Sequence, residues 1–231
     1  MTFSIALRCP QTGQFGIAGA ASSMAMGARC LFVNHDAGAV ITQHRTDPRL
    51  GSLALRHLRN GLSAQEALDK IATAPGIEWR ELAIVDRDGA TALRQGANQE
   101  PIYANASAPG IVAVGNILRN DRVPAAMVAA AAETSGKPIA ARLLAALDAA
   151  LAAGGEIFPL CSAALKVAEY PDFCSVDLRV DRAADPLGEL RRHWEAYEPQ
   201  MANFVERVLD PDIGGRATNS LEILSSEEPR Q

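Results

Sequence analysis

The sequence contains no run of lysine and arginine residues, and its 22 basic side chains are outnumbered by 27 acidic ones. The net charge of −5 at neutral pH repels polyanions, so no nucleic-acid partner is expected. Long uninterrupted apolar segments are also missing, because charges and Lys137-Pro138 break the alanine-rich stretch at residues 127–155. These absences argue against a membrane-spanning helix and against polybasic attachment to a membrane.

Only four cysteines are present, Cys9, Cys30, Cys161 and Cys174, and no two of them form a C-x-x-C pair. A chain of 231 residues can bury a large core without covalent cross-links, so reduced thiols are expected. The four histidines likewise lack the spacing of a zinc-binding motif. The sequence therefore predicts neither a metal ion nor any other cofactor.

The first residues lack the charged segment and apolar segment that together form a secretory signal. A cytoplasmic protein is the resulting expectation. The alanine-rich helical patterns present small side chains on their outer faces, and such faces favour close association of two copies. We therefore expect a homodimer.

The pattern that is present alternates between strands and helices. Alternating apolar residues predict strands, and a period of three to four residues predicts helices, one of which begins at the capping box of Ser63 and Glu66. Strands are predicted at residues 3–7, 14–22, 31–33, 38–42, 81–86, 90–93, 111–114, 162–168 and 176–180. Helices are predicted at residues 50–58, after Ser63, and at 123–134, 139–153 and 186–209.

Antiparallel hairpins that alternate with helix pairs are typical of a layered α+β sandwich. No internal repeat and no domain boundary is visible over residues 1–209, which predicts a single domain there. Proline, glycine, serine and glutamate dominate residues 210–231. We expect this segment to be a flexible C-terminal tail without a core of its own.

Thr2 follows the initiator methionine at the start of the first predicted strand. A hydroxyl needs a nearby base to become a nucleophile, and an α-amino group, with an ordinary pKa of about 7.7–8.0, can be that base. Removal of Met1 would place both groups on Thr2. Threonine is also β-branched and favours strands, so a purely structural role explains the same position.

Asn116, Ser22 and Ser23 are candidates for a site around Thr2. Asn116 follows a buried strand, where its amide can stabilise an oxyanion or simply form a turn. The two serines end the small-residue strand, where they can orient the Thr2 amine or bind substrate, or merely end the strand.

Two further candidates follow the strand at residues 38–42. Gln43 can bind substrate, or its side-chain amide can form its hydrogen bonds at the protein surface. Arg45 can pair with a substrate carboxylate or lower the pKa of the amine, and its alternative is a solvated loop cation.

Several short segments occur in an order that is more specific than any one of them: residues 2–5, 16–22, 38–43, 61–68, 115–118, 162–165 and 176–181. From Thr2 to about Trp194 the chain resembles the domain-of-unknown-function family one-zero-two-eight, which is grouped with the N-terminal nucleophile (Ntn) hydrolases. The resemblance implies a four-layer αββα sandwich, with two antiparallel sheets between helix layers. It also implies hydrolysis of an amide-like bond in a small metabolite or peptide, with Thr2 as the nucleophile.

Two regions depart from that family. Residues 43–48 match it only at Gln43 and Pro48. The segment at residues 156–161 is apolar apart from Glu156, where the family typically carries arginine and glutamine. If this segment contacts substrate, specificity has changed or activity has been lost. The alternative to a hydrolase is therefore a non-catalytic module on the same fold, for small-molecule binding or assembly.

Overall fold

The computed structural model describes residues 1–212, which contain ten strands, six helices and one short 3-10 turn at Ile77–Trp79. The strands are β1 (Thr2–Arg8), β2 (Phe15–Ala21), β3 (Leu31–Asn34), β4 (Gly38–His44), β5 (Arg80–Asp86), β6 (Thr91–Gln95), β7 (Ala104–Ala108), β8 (Ile111–Asn116), β9 (Ser162–Ala168) and β10 (Val176–Val180). The helices are α1 (Met26–Cys30), α2 (Pro48–Arg59), α3 (Ala64–Ile71), α4 (Val123–Glu133), α5 (Ile139–Ala152) and α6 (Pro186–Leu209).

The strands form two antiparallel sheets. Six of them follow the order β10-β9-β2-β1-β8-β7, and the other four follow the order β3-β4-β5-β6. The first strand of the chain therefore lies inside the larger sheet, hydrogen-bonded to β2 on one side and to β8 on the other.

The two sheets pack face to face, and each is covered by helices on its other side. Apolar side chains such as Ile17, Ile41 and Val112 fill the space between the sheets. Helices α4 and α5 contact the larger sheet, whereas α2 and α3 pack on the smaller one through residues such as Leu58 and Ile84. The predicted four-layer αββα sandwich is confirmed.

Local sequence explains where the helices of the smaller sheet begin. Asp47 caps α2 by accepting from the backbone N–H of Arg49 at 3.1 Å, and Pro48 occupies the first helical position. Ser63 and Glu66 form the capping box predicted for α3. Helix α2 starts two residues before the predicted helix, because the cap and the proline precede the first apolar residue of its pattern.

Two elements were missed by the sequence analysis. Strand β7 has the sequence ANASA, whose small residues show no apolar alternation, and it forms at the sheet edge by pairing with β8. Helix α1 has only five residues, too few for a helical period to be visible.

The described chain divides into a compact unit, Met1–His193, and a second unit that begins at Trp194 within α6. A single domain over residues 1–209 stays a prediction. Most of the predicted tail, from residue 213 onward, lies outside the described residues. No helix within residues 1–212 is long and apolar enough to cross a membrane.

Candidate active site

Thr2 lies where the two ladders of β1 end. Its Cα partners are Ala21 on β2 and Asn116 on β8, so strands flank it on both sides. The residue is 4% exposed. A group at this position is held by backbone hydrogen bonds of the larger sheet, and its surroundings are set by the residues that follow β2 and β8.

A glycine beside the start of β1 makes room for a buried hydroxyl. Gly19 is the register partner of Ser4. A Cβ at Gly19 would lie 2.5 Å from Ser4 Oγ and 2.6 Å from Met26 Cε. The small-residue strand therefore allows the Ser4 side chain and the Met26 side chain to approach the backbone closely.

A network of buried polar side chains lies beneath Thr2. Ser4 Oγ donates to Gln43 Oε1 at 2.7 Å, and Gln43 Nε2 donates to Glu81 Oε2 at 2.5 Å. Asn116 Nδ2 donates to the same carboxylate oxygen at 2.6 Å, and Gln95 Nε2 donates to Glu81 Oε1 at 2.6 Å. Three amides from three strands thus converge on one carboxylate between the sheets.

Burial raises the pKa of Glu81, which has no exposed surface. The hydrogen bonds from Gln95, Asn116 and Gln43 oppose this shift, and so does the positive charge of the Met1 amine. Removal of Met1 would bring the free amine one residue further along the chain, to Thr2.

The Asn116 amide has a defined orientation. Its Nδ2 faces Glu81, because a carboxylate requires a donor. Its Oδ1 is buried and has no hydrogen-bond partner within residues 1–212. The amide therefore presents an unsatisfied acceptor on the side away from Glu81.

A second buried carboxylate belongs to the segment that extends past β8. An antiparallel bridge joins Glu156 to Leu118, and Arg119 N donates to Gly155 O at 3.0 Å. Both oxygens of Glu156 accept from the backbone N–H of Ser22, at 3.2 and 3.3 Å. The side chain therefore spans from the extension of β8 to the end of β2.

Burial raises the pKa of Glu156 to about 7, since the residue is only 4% exposed. Hydrogen bonding from Ser22 and the positive charge of the N-terminal amine act in the opposite direction. The positive charge of the Met1 amine thus opposes the rise in pKa of both Glu81 and Glu156.

The structure brings together four of the residues that the sequence singled out: Thr2, Asn116, Gln43 and Ser22. Gln43 is fully buried and also donates to the carbonyl of Thr2 at 3.4 Å, so its amide is used within the protein. Ser22 lies one residue beyond the register partner of Thr2, and its buried hydroxyl, which helps to lower the pKa of Glu156, accepts no hydrogen bond in the described part of the chain.

The side chains of Ser23 and Arg45 form surface contacts away from Thr2. Ser23 is exposed, and its Oγ accepts from Arg29 Nη2 at 3.0 Å. The guanidinium of Arg45 stacks on the ring of Trp79, 3.8 Å from the ring centroid. Both side chains are therefore engaged at the surface.

Sequence reasoning missed Glu81 and Glu156. One signal was available for each: Glu81 is an acidic residue at the start of an apolar strand, and Glu156 follows Gly154-Gly155 in a segment otherwise apolar. Both positions place a charged group where the surrounding pattern demands burial, which is uncommon without a partner.

No group of three or more metal-ligating side chains occurs among residues 1–212. A cavity of about 430 Å³ lies at the far end of β1 and is lined by residues including Cys9, Thr12 and Lys137. Seven residues of strand separate Cys9 from Met1, so this cavity is about 20 Å from the site at Thr2.

Residues 2–190 match the family of unknown function DUF1028. A crystal structure of a protein of that family from Silicibacter pomeroyi superposes with a TM-score of 0.81 and 31% sequence identity, over 88% of this chain and 89% of that chain. The chain is also similar to Anbu, an ancestral β-subunit from Yersinia bercovieri, with a TM-score of 0.41 and 8% identity over 99% of both chains, which is too weak to support an argument. No curated protein matches the sequence. The chain belongs to the family of unknown function DUF1028.

Proposed function

We propose that the protein is an Ntn-type hydrolase that cleaves an amide-like bond in a small metabolite or peptide, with Thr2 as the nucleophile once Met1 has been removed. One observation carries the proposal. Thr2 is held between β2 and β8, and the positive charge of the amine of Met1, the residue before it, acts on two buried carboxylates, Glu81 and Glu156. Such clustering of perturbed groups is more frequent at functional sites than elsewhere.

The proposed reaction begins with proton transfer from the Thr2 hydroxyl to its own neutral α-amine, directly or through water. The hydroxyl oxygen then attacks the substrate carbonyl carbon, and the carbonyl π electrons move to the oxygen. Collapse of this intermediate breaks the C–N bond, and the ammonium returns its proton to the leaving nitrogen. Water hydrolyses the resulting ester by the same route, releasing the acid and restoring Thr2.

Asn116 is the proposed donor to the oxyanion. One N–H of its Nδ2 is used by Glu81, and the second N–H of the same amide is the donor that this role requires. The Glu81 contact fixes the plane of the amide before substrate arrives, which is the condition under which such a donor is effective.

The remaining predicted residues take supporting roles in this proposal. Gln43 holds the carbonyl of Thr2 and the Glu81 carboxylate from within the core. Ser22 follows the β2 partner of Thr2 and holds the Glu156 carboxylate through its backbone N–H. Ser23 and Arg45 become substrate contacts only if their surface side chains turn toward Thr2. A small-molecule or peptide-like substrate, a homodimer and a cytoplasmic location stay predictions.

The first test is the chemical identity of the N-terminus in protein purified from the native cell. Intact mass shows whether Met1 has been removed. Periodate applied to the unfolded protein cleaves a terminal threonine that carries a free amine, leaving a glyoxylyl group and releasing acetaldehyde. Loss of Met1 and conversion by periodate are expected. Retention of Met1 would contradict the mechanism and favour the non-catalytic module.

The second test is activity. A library of amides and short peptides is screened with the processed protein, and Thr2→Ala is expected to lose at least about 10³-fold in kcat/KM because it removes the attacking oxygen. Thr12→Ala, which removes an exposed turn hydroxyl, is the matched control and retains full activity. A turnover that survives Thr2→Ala would contradict the proposal.

A further inference from the structure

The Glu156 side chain crosses the amino end of β1. Its backbone pairs with Leu118, two residues beyond the β8 partner of Thr2. Its carboxylate binds the backbone N–H of Ser22, one residue beyond the β2 partner of Thr2. Since β2 and β8 flank β1, a side chain that joins their extensions passes over the position of Met1, next to the backbone nitrogen of Thr2 that becomes the first one when Met1 is removed.

Two unsatisfied acceptors lie on either side of this crossing. Asn116 Oδ1 is a buried atom without a hydrogen-bond partner among the residues described, and the Ser22 hydroxyl, whose hydrogen bonding lowers the pKa of Glu156, accepts no hydrogen bond there. Together with the Glu156 carboxylate they form three acceptor groups around one chain end. A primary ammonium group offers three N–H donors. A buried acceptor without a donor costs about 1–3 kcal/mol, so this set favours a donor-rich group between them.

Among residues 1–212, one positive group acts on the Glu156 carboxylate. Glu81, which faces the site from β5, is acidic, and Cys30 on α1 and Cys161 beside β2 are thiols. On the loop side, Arg119 is exposed and its Nη2 donates to the carbonyl of Ile157 at 3.4 Å. The positive group that acts on the Glu156 carboxylate is the amine of Met1, and removal of Met1 transfers the free amine to Thr2. A buried carboxylate is costly without such a partner.

We propose that Glu156, with Asn116 Oδ1 and Ser22 Oγ, binds the α-ammonium group of Thr2 in the processed chain, and that Glu156 sets the pH at which this amine becomes a base. Glu156 is thereby a positioning residue for Thr2. The inference rests on the proposed function in one respect, namely that Thr2 becomes the first residue.

The sign of the effect follows from the charge. An ionised carboxylate stabilises the ammonium form and raises the pKa of the amine. Only the neutral amine accepts the hydroxyl proton, so Glu156 moves the onset of activity to higher pH. Glu156→Gln keeps an oxygen that can accept from Ser22 N and from the amine, but removes the charge. It is expected to shift the amine titration to lower pH by about one unit.

The experiment measures this amine directly and needs no substrate. The full chain is released from an N-terminal fusion so that Thr2 is the first residue. Competitive acylation with limiting acetic anhydride is followed at the Thr2 amine by mass spectrometry from pH 5 to pH 10. The variants are Glu156→Gln, Glu156→Asp, which keeps the charge but withdraws it by one methylene, and Glu133→Gln as the control that removes a charge from an exposed site.

The expected order of the amine midpoints is wild type highest, Glu156→Asp intermediate and Glu156→Gln lowest, with Glu133→Gln equal to wild type. Equal midpoints in wild type and Glu156→Gln would overturn the proposal. If Glu156→Gln does not fold, Glu156→Asp decides alone, and a midpoint unchanged from wild type overturns it. Because the fusion supplies the free amine, this result is independent of whether the native cell removes Met1 and whether Thr2→Ala is inactive.

Discussion

The side-chain amide of Asn116 donates to the carboxylate of Glu81 at 2.6 Å, and this contact fixes which face of the amide reaches the site. Both residues are fully buried. The orientation of Asn116 is therefore set by a residue on the opposite sheet, which couples the two layers of the sandwich at the candidate active site.

Replacing this amide by a carboxylate tests the coupling. Asn116→Asp places a second carboxyl group against Glu81, where both cannot be ionised without a large cost. We expect a loss of about 3 kcal/mol in the free energy of unfolding at pH 7.5, and partial recovery at pH 5 as the pair takes up a proton. Urea denaturation at the two pH values measures both quantities. Asn98→Asp, at an exposed position after β6, is the control, and an equal loss in both variants would contradict the coupling.

Glu156 gives the stability of the fold a particular dependence on pH. Its pKa of about 7 in the folded protein is above its ordinary value of 4.5, so the folded state binds the proton more tightly. The resulting stabilisation is complete below about pH 4.5 and is lost as the pH rises through 7. The contribution is on the order of 2–3 kcal/mol.

Glu156→Gln removes this dependence. Between pH 5 and pH 8, the free energy of unfolding of wild type is expected to fall by about 2–3 kcal/mol more than that of Glu156→Gln. Denaturation curves across this range measure the difference, and Glu133→Gln serves as the charge control. Parallel curves for wild type and Glu156→Gln would show that the carboxyl group titrates normally.

The close packing of Ser4 against Gly19 leads to a separate prediction. In Gly19→Ala the new Cβ would lie 2.5 Å from Ser4 Oγ and 3.0 Å from the carbonyl of Phe3, so β1 and β2 must shift. A loss of about 1–3 kcal/mol is expected from overpacking of this kind. Gly136→Ala is the matched control, because no heavy atom lies within 4 Å of its Cβ position. Thermal denaturation distinguishes the two, and equal stability would contradict the close approach.

Two buried thiols should differ in reactivity. Burial opposes ionisation of Cys9, but hydrogen bonding from Thr12 and Gln11 and the charge of Arg142 outweigh it and lower its pKa. Burial raises the pKa of Cys30. At pH 7 we expect iodoacetamide to alkylate Cys9 about tenfold faster than Cys30, since the thiolate is the reactive form.

Cys9 and Cys30 are both buried, with 8% and 2% exposure. Alkylation rates of the same cysteines in urea-unfolded protein correct for differences in reactivity that come from the neighbouring sequence. Peptide mapping gives both rates from one sample. Arg142→Met is expected to slow alkylation of Cys9 and to leave Cys30 unchanged. Equal rates at the two cysteines in the folded protein would contradict the predicted pKa difference.

The sequence was informative where local chemistry decides structure. The strand at Thr2, the turn at Pro10–Gly13 and the capping box at Ser63 each depend on neighbouring residues, and each is present. The sequence could not show that Glu81 lies beneath Thr2, because that contact depends on the packing of one sheet against the other. Glu156 was missed for a similar reason: its partner Ser22 N is more than a hundred residues away along the chain.

The orientation of the Arg45 side chain also could not be predicted from the sequence. Its position after β4 suggested a contact with substrate, but the structure places its guanidinium over Trp79. A loop residue has few local constraints, and a nearby aromatic ring is sufficient to hold a guanidinium at the surface.

The interior position of β1 has a consequence for synthesis of the protein. Its outer neighbour, β8, ends at Asn116, and the segment that carries Glu156 follows later still. At translation rates of about 5–20 residues per second, the first strand waits on the order of ten seconds for the second of its two partners. A ribosome-bound or truncated product that stops before Asn116 lacks the end of strand β8 beside Thr2. The residues that surround Thr2 therefore cannot come together until most of the polypeptide has been synthesised.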